Sequence, residues 1–424
     1  MAELGMLPRY ESYIDSGVEW IDEIPKHWSF KKLKFIDSVI MGQSPDSDST
    51  NELKVGIPFL QGNAEFGKIY PSPNLWCTKP KKVCRKGDIL FSVRAPVGAI
   101  NIADQEYCIG RGLAAISVNE HDSKFRAYQM HASVSSFRKL FTGSTFEAIS
   151  TEDLKNLFIT CPAKNEVKPI TDFLDKKTTQ IDDVIATKEK QIALLKERKQ
   201  IIIQQAVTRG LDLSVSMKDS GVEWIGKIPA HWQIKRAKYL FNEIDERSKT
   251  GSEELLSVSH MTGVTPRSEK NVSMFMAEDY SGSKLCKEND LVMNIMWAWM
   301  GALGVSSQTG IVSPSYGVFR QKIENTFNPI YLEYLLKTTK YIEHYNKVST
   351  GLHSSRLRFY SHMFFSMKIG FPSYEEQNDI VDYLTKQTEK IDSALSVQQA
   401  QIEKLKEYKT TLINSAVTGK IKVA

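Results

Sequence analysis

An internal duplication limits what this chain can fold into more than any other feature. Residues 15–34 read DSGVEWIDEIPKHWSFKKLK and residues 219–238 read DSGVEWIGKIPAHWQIKRAK, a shift of 204 with 13 of 20 positions identical. Four of the seven tryptophans, Trp20, Trp28, Trp224 and Trp232, fall at matched places inside this block. The chain is therefore expected to hold two copies of one half-protein, and a fold proposed for one half must serve the other.

A second pair follows. Residues 170–208 and 380–418, shifted by 210, agree at 17 of 39 positions and contain neither Gly nor Pro. Ile181, Ile185, Ile192, Leu195, Ile202 and Ala206 in one, and Ile391, Leu395, Ile402, Leu405, Leu412 and Ala416 in the other, recur at helical spacing. Each segment is predicted to be one long helix, with Pro162 or Pro372 before it and Gly210 or Gly419 after it as boundary signals. About 40 residues make a helix of roughly 60 Å, longer than a domain is wide.

Between the Trp block and the helix of each half lies a stretch of similar length and little identity, about 29–160 and 233–370. Both read as mixed α and β, with β-rich runs at 89–93 and 310–319 and helical stretches at 124–141 and 329–348. The halves should share a fold but not a surface.

At 424 residues the chain is too long for one ordinary core. Its 41% hydrophobic and 25% charged residues are those of a globular protein. No run of 18 apolar residues suggests a membrane span and the first residues lack a secretory pattern, so a cytoplasmic location is expected. Five scattered cysteines point to reduced, mostly buried thiols, with neither a disulfide framework nor a CxxC metal site. A net charge of +5 permits a polyanionic partner without demanding one.

A helix with one apolar stripe must bury it, and the nearest partner for each long helix is its own copy, in an antiparallel coiled coil. Such a pair would hold two heads in opposite orientation. Duplex DNA offers half-sites in that relation, about one helical turn or roughly 34 Å apart, and unlike heads would read an asymmetric two-part sequence. A coiled-coil scaffold presenting two protein-binding domains is the alternative. It gives no reason for two like frames around unlike fillings.

The order variable region, helix, variable region, helix resembles the specificity subunit of type I restriction-modification systems, the HsdS family. The resemblance covers about Tyr13 to Thr418 and rests on GVEWIDEIPKHW and GVEWIGKIPAHW, GDILFSVRAPVGAI with IGRGLAAI, NDLVMNIMWAWMGALGVS with GIVSPSYGVFR, GSTFEAIS, and RLRFYSHMFFSMKIGFPSYEEQ. It implies an α+β (mixed α/β) chain with target recognition domains at 1–162 and 213–372, and conserved spacer helices at 163–212 and 373–424. It further implies a non-catalytic partner of two modification subunits, which use S-adenosylmethionine to methylate adenine, and of restriction subunits that use ATP and Mg. No cofactor, metal or catalytic residue is then expected in this chain, and no membrane. Related second domains often carry basic residues where this chain has Ile295 and Trp297, so the phosphate contact that the resemblance implies there is either missing or replaced by stacking.

Several patterns imitate other chemistry. Gly110-Arg111-Gly112 with Ala115 satisfies G-x-G-x-x-A, but LAAISV reads as strand and not as the helix of a dinucleotide site. Asn328-Pro329-Ile330-Tyr331 is better read as a helix start than as a base-flipping loop. Asp182 and Asp392, each with an acidic residue and a lysine 15 to 17 positions on, are read as solvated helix charges, too widely spaced to share a metal. His27 and His231, in the repeated I-P-x-H-W, are given a packing or capping role. For DNA, the residue types that read base edges or neutralise phosphate nominate Gln61, Asn63, Lys79, Lys81, Lys82, Arg94 and Arg111 in the first half. Lys249, Arg267, Lys270, His353, Ser354, Arg356 and Arg358 are the choices in the second. Gly143 and Gly351 open matched T-G loops that could let a phosphate approach the backbone.

Overall fold

The repeated D-S-G is a turn. Asp15 and Asp219 each accept the N–H of the glycine two residues on, at 2.8 Å, and Gly17 and Gly221 take φ of 63° and 64°. That left-handed conformation costs glycine nothing. Each turn closes a hairpin of one register: Tyr13–Asp15 pairs with Glu23–Pro25, and Met217–Asp219 with Lys227–Pro229. This computed structural model describes residues 7–118, 122–138, 148–270, 279–351 and 357–423.

The chain divides into two units, residues 1–189 with 399–424, and residues 190–398. Both are mixed α and β, as expected. In the first, a four-stranded antiparallel sheet runs in the order Ile100–Ile102, Ile89–Ser92, Leu113–Ser117, Ser38–Met41. Beside it lies a five-stranded sheet in which Tyr107–Ile109 pairs parallel with Ile57–Leu60. Strand Ile89–Ser92 is buried on both faces. Ile89 and Phe91 join the core that includes Trp28, Leu174 and Ile413, while Leu90 packs with Leu60, Ile109 and Leu113. Successive side chains point to opposite faces, so an unbroken apolar run supplies two cores at once.

The second unit repeats the scheme. Its four-stranded sheet runs Phe241–Glu243, Gly317–Gln321, Leu291–Met293, Leu303–Val305. Leu291 and Met293 face the core around Trp232, Tyr331 and Leu384, and Val292 faces Leu256, Cys286 and Val318. The β-rich run at 310–319 is two strands, Gly310–Val312 and Gly317–Gln321, because Pro314 and the serines beside it occupy a connecting turn. The helical stretch at 329–348 is likewise two helices, Pro329–Leu336 and Thr339–Val348, parted where the Thr338 hydroxyl bonds back to the Leu335 carbonyl.

The long helices run Lys164–Arg209 and Tyr374–Val417, each starting six residues before the segment whose periodicity announced it. Pro169 sits in the second turn of the first, where its missing N–H costs a backbone bond. In the first unit Asp182 pairs with Lys409 at 2.6 Å and Lys188 hydrogen-bonds Gln401, one number falling as the other rises. In the second unit Lys199 pairs with Asp392 at 2.7 Å. These ion pairs are copies of each other under the shift of 210. Asp182 and Asp392, their side chains 29% and 53% exposed, are therefore partnered by a lysine as well as solvated. No helix among the described residues is long and apolar enough to cross a membrane.

Candidate nucleic-acid interface

Each unit is built on a clamp between its Trp block and the first turn of a long helix. Glu166, its side chain 10% exposed, accepts from Trp28 Nε1 at 2.9 Å and Tyr10 Oη at 2.7 Å, and meets His27 Nε2 at 3.0 Å. In the second unit Glu376 accepts from Trp232 Nε1 at 3.0 Å and meets His231 Nε2 at 2.8 Å. Burial pushes the Glu166 carboxyl up, but the bonds from Tyr10, His27, Trp28 and the Ala163 N–H outweigh it and leave its pKa below the ordinary value. A carboxylate in the first helical turn also complements the helix dipole. The histidines, expected to pack or cap, are half exposed and bond the first-turn carboxylate.

From this frame the sheet of the first unit projects a cluster of loops. Gln61 follows strand Ile57–Leu60, Arg94 follows Ile89–Ser92, and Arg111 tops the turn before Leu113–Ser117; all three are exposed. Backbone bonds draw them together: Gly110 N–H donates to the Leu60 carbonyl at 2.8 Å, and Val93 N–H to the Gly112 carbonyl at 3.0 Å. A Cβ added at Gly110 or Gly112 would lie 3.0 or 2.8 Å from the Gln61 backbone, and one at Gly42 would lie 2.2 Å from the Gly110 carbonyl oxygen. The G-x-G is therefore a close backbone crossing that leads into a strand, as expected.

Asn63 is half-buried on the loop after Gln61. Lys79, Lys81 and Lys82 are exposed on the neighbouring loop, joined to it where Ile109 N–H donates to the Lys82 carbonyl. Lys81 pairs with Asp46 at 2.6 Å, so part of its charge is already answered within the protein.

The second unit brings fewer of its nominees together. Arg267 is half-buried on a single 3₁₀ turn and close enough to Tyr316 for its charge to act on that phenol, though burial is the larger influence and raises the pKa. Lys270 is half-buried, which lowers its pKa. Lys249 is exposed beside Ser248, whose N–H donates to the Ser283 carbonyl just before strand Lys284–Cys286. Arg358 is half-buried, its backbone paired in both directions with Thr350. His353, Ser354, Arg356 and Gly143 lie outside the described residues; Gly351 is exposed.

Among the described residues no group of three or more His, Cys, Asp or Glu could hold a metal ion. The five cysteines are free thiols, four of them buried. Asn328 caps its helix by accepting from the Ile330 and Tyr331 N–H groups, which makes the N-P-I-Y sequence a helix start.

The type I restriction modification DNA specificity domain family matches residues 25–195. A putative type I restriction enzyme specificity subunit of Methanocaldococcus jannaschii, MjaX, is 42% identical over 44% of this chain and 44% of its own length. A type I DNA specificity domain is thus recognisable in the first half of the chain. The MjaVIII specificity subunit of the same organism is 24% identical over 94% of both chains. The crystal structure of the HsdS subunit from Thermoanaerobacter tengcongensis is 38% identical over 40% of this chain and 41% of that one, with a TM-score of 0.35. The chain spans about half the length of the first two curated relatives it matches.

In this specificity-subunit relative, sequence reasoning missed Glu166 and Glu376. The signal was present, since both lie four residues after the matched Pro162 and Pro372. It also passed over Ser313, Ser315 and Met261, exposed or half-exposed in the second unit on loops that correspond to, or adjoin, those of Arg111 and Gln61. Nothing in the sequence marked these, because the fillings share too little identity to be aligned by residue.

Proposed function

We propose that the chain is the DNA-reading subunit of a type I restriction-modification complex. Two target recognition domains each take one half of an asymmetric, two-part duplex target. The observation that carries this reading is the pairing of two like His-Trp-Glu clamps with sheet-end loops that differ at matched positions, Arg94 against Met296 and Gly110-Arg111-Gly112 against Ser313-Pro314-Ser315. A shared frame suits partners that are the same on both sides, and unlike loops suit unlike half-sites. Within the first domain Arg94 and Arg111 would read guanine edges, Gln61 and Asn63 adenine, and the Lys79 to Lys82 loop would lie on phosphate. Arg267, Lys249, Lys270, His353, Ser354, Arg356 and Arg358 are assigned to the second half-site.

The long helices would pair as an antiparallel coiled coil that sets the unread gap, a role supported by the matched Asp182–Lys409 and Lys199–Asp392 ion pairs. Two modification subunits carrying S-adenosylmethionine, and restriction subunits using ATP and Mg, would dock on the frame in the cytoplasm and supply all covalent chemistry. The specificity subunit itself contributes none. Methylation-sensitive sequencing of host DNA with and without this gene tests the reading. A two-part adenine-methylated motif that vanishes with the gene is expected; an unchanged methylation pattern would sink it.

A further inference from the structure

We infer that the second target recognition domain reads its half-site through apolar contacts to thymine methyl groups, made by Met261, Trp297 and Met300, where the first domain offers hydrogen-bonding side chains. This rests on the DNA-reading function proposed above. The registers align the two domains: Ile89 opposite Ile116 and Phe91 opposite Ala114 correspond to Leu291 opposite Phe319 and Met293 opposite Gly317. Ser92 and Asn294 therefore open equivalent loops. The alignment holds beyond the strands, since the Val93 carbonyl accepts the Ile149 N–H as the Ile295 carbonyl accepts that of Phe359.

The large exposed side chains at these matched ends differ in chemistry. At this end of the first domain the exposed side chains include Gln61, Arg94 and Arg111. At the same end of the second, Trp297 is 47% exposed and Met300 38%, and Met261, at the tip of the adjoining hairpin, is 80% exposed. The two hairpins meet where a Cβ on Gly304 would lie 2.9 Å from Gly263 Cα. Trp297 is held out on a fastened loop: it stacks on Trp299 at 6.1 Å, Trp299 Nε1 donates to the Met296 carbonyl at 2.9 Å, and buried Asn294 accepts from Met296 N–H while donating to Tyr316 Oη. A rigid aromatic presents contact area at little entropic cost. The apolar feature of the major groove is the thymine C5-methyl. A protein partner common to both halves would meet the shared frame and not one of two unlike loop sets, which favours DNA as the occupant.

The test uses the full chain, alone and with its modification subunits, on the duplex found by methylation sequencing. Deoxyuridine replaces thymine in one half-site at a time, removing only the methyls. Binding should weaken about fourfold per contacted methyl in the second half-site and stay within twofold in the first. Trp297→Ala and, as a check that the loop still folds, Trp297→Phe are measured on both duplexes; the alanine variant should lose the uracil sensitivity and the phenylalanine variant should keep most of it. Failure to distinguish target from scrambled duplex would overturn the DNA-reading function itself. If the target is recognised but uracil acts equally in both halves, or the second half-site has no A·T pair, the apolar reading is wrong. If Trp297→Ala impairs capture of a modification subunit and leaves the uracil effect intact, the patch is a protein-docking surface instead.

Discussion

Glu166 concentrates the stability of the first frame in one carboxylate. It receives Tyr10, His27 and Trp28 from the Trp block and stands in the first turn of the long helix, so its removal uncouples two elements. Glu166→Gln keeps the shape but loses the charge-assisted bonds, and is expected to lower unfolding stability by about 1–3 kcal/mol at pH 7. The pH dependence has a definite sign. The folded carboxyl lies below its ordinary value of 4.5, so its contribution is complete above that pH and fades as the pH falls through the folded value. Urea titrations of wild type and Glu166→Gln should differ most at neutral pH and converge in acid; a gap that widened in acid would show that the clamp does not depend on the ionised form.

At the scale of elements, the strands illustrate what apolar runs can and cannot announce. Ile89–Ser92 was legible because all four residues are buried, whereas the turn between Gly310–Val312 and Gly317–Gln321 was concealed by apolar residues on both sides. The long helices were legible from periodicity, but their true starts lie in polar sequence held by the Glu166 and Glu376 clamps, which no period reports. If the paired helices measure the gap, inserting seven residues into both, between Glu189 and Lys190 and between Gln398 and Gln399, keeps the apolar faces in near register and adds about 10 Å. The unread gap should grow by about three base pairs, read by methylation sequencing. An unchanged gap would remove the ruler role.

At the scale of the whole molecule, each unit takes its own core, its own Trp-block clamp and segments of both long helices. Independent cores imply independent heads. Exchanging residues 29–160 for the corresponding stretch of another specificity subunit should change one half of the recognised sequence and leave the other half and the gap as they were. Methylation sequencing reads the result directly, and changes in both halves would mean that the heads are coupled. Of the residues nominated for DNA, Gln61, Arg94 and Arg111 share one end of the first sheet, a juxtaposition that no local pattern along the chain reports. Lys81 lies beside Asp46, which only folding brings there.

The duplication, the two long helices and the mixed α and β class were readable in the chain, because each of these is written in local pattern or in repetition. Tertiary structure alone decided that Glu166 and Glu376 receive the repeated His-Trp pairs, that Asp182 and Asp392 find lysines across the helices, and that a glycine turn draws Gln61, Arg94 and Arg111 to one edge. The physical reason is sequence separation: Trp28 and Glu166 are 138 positions apart, and Asp182 and Lys409 are 227. Contacts of that span leave no periodicity behind.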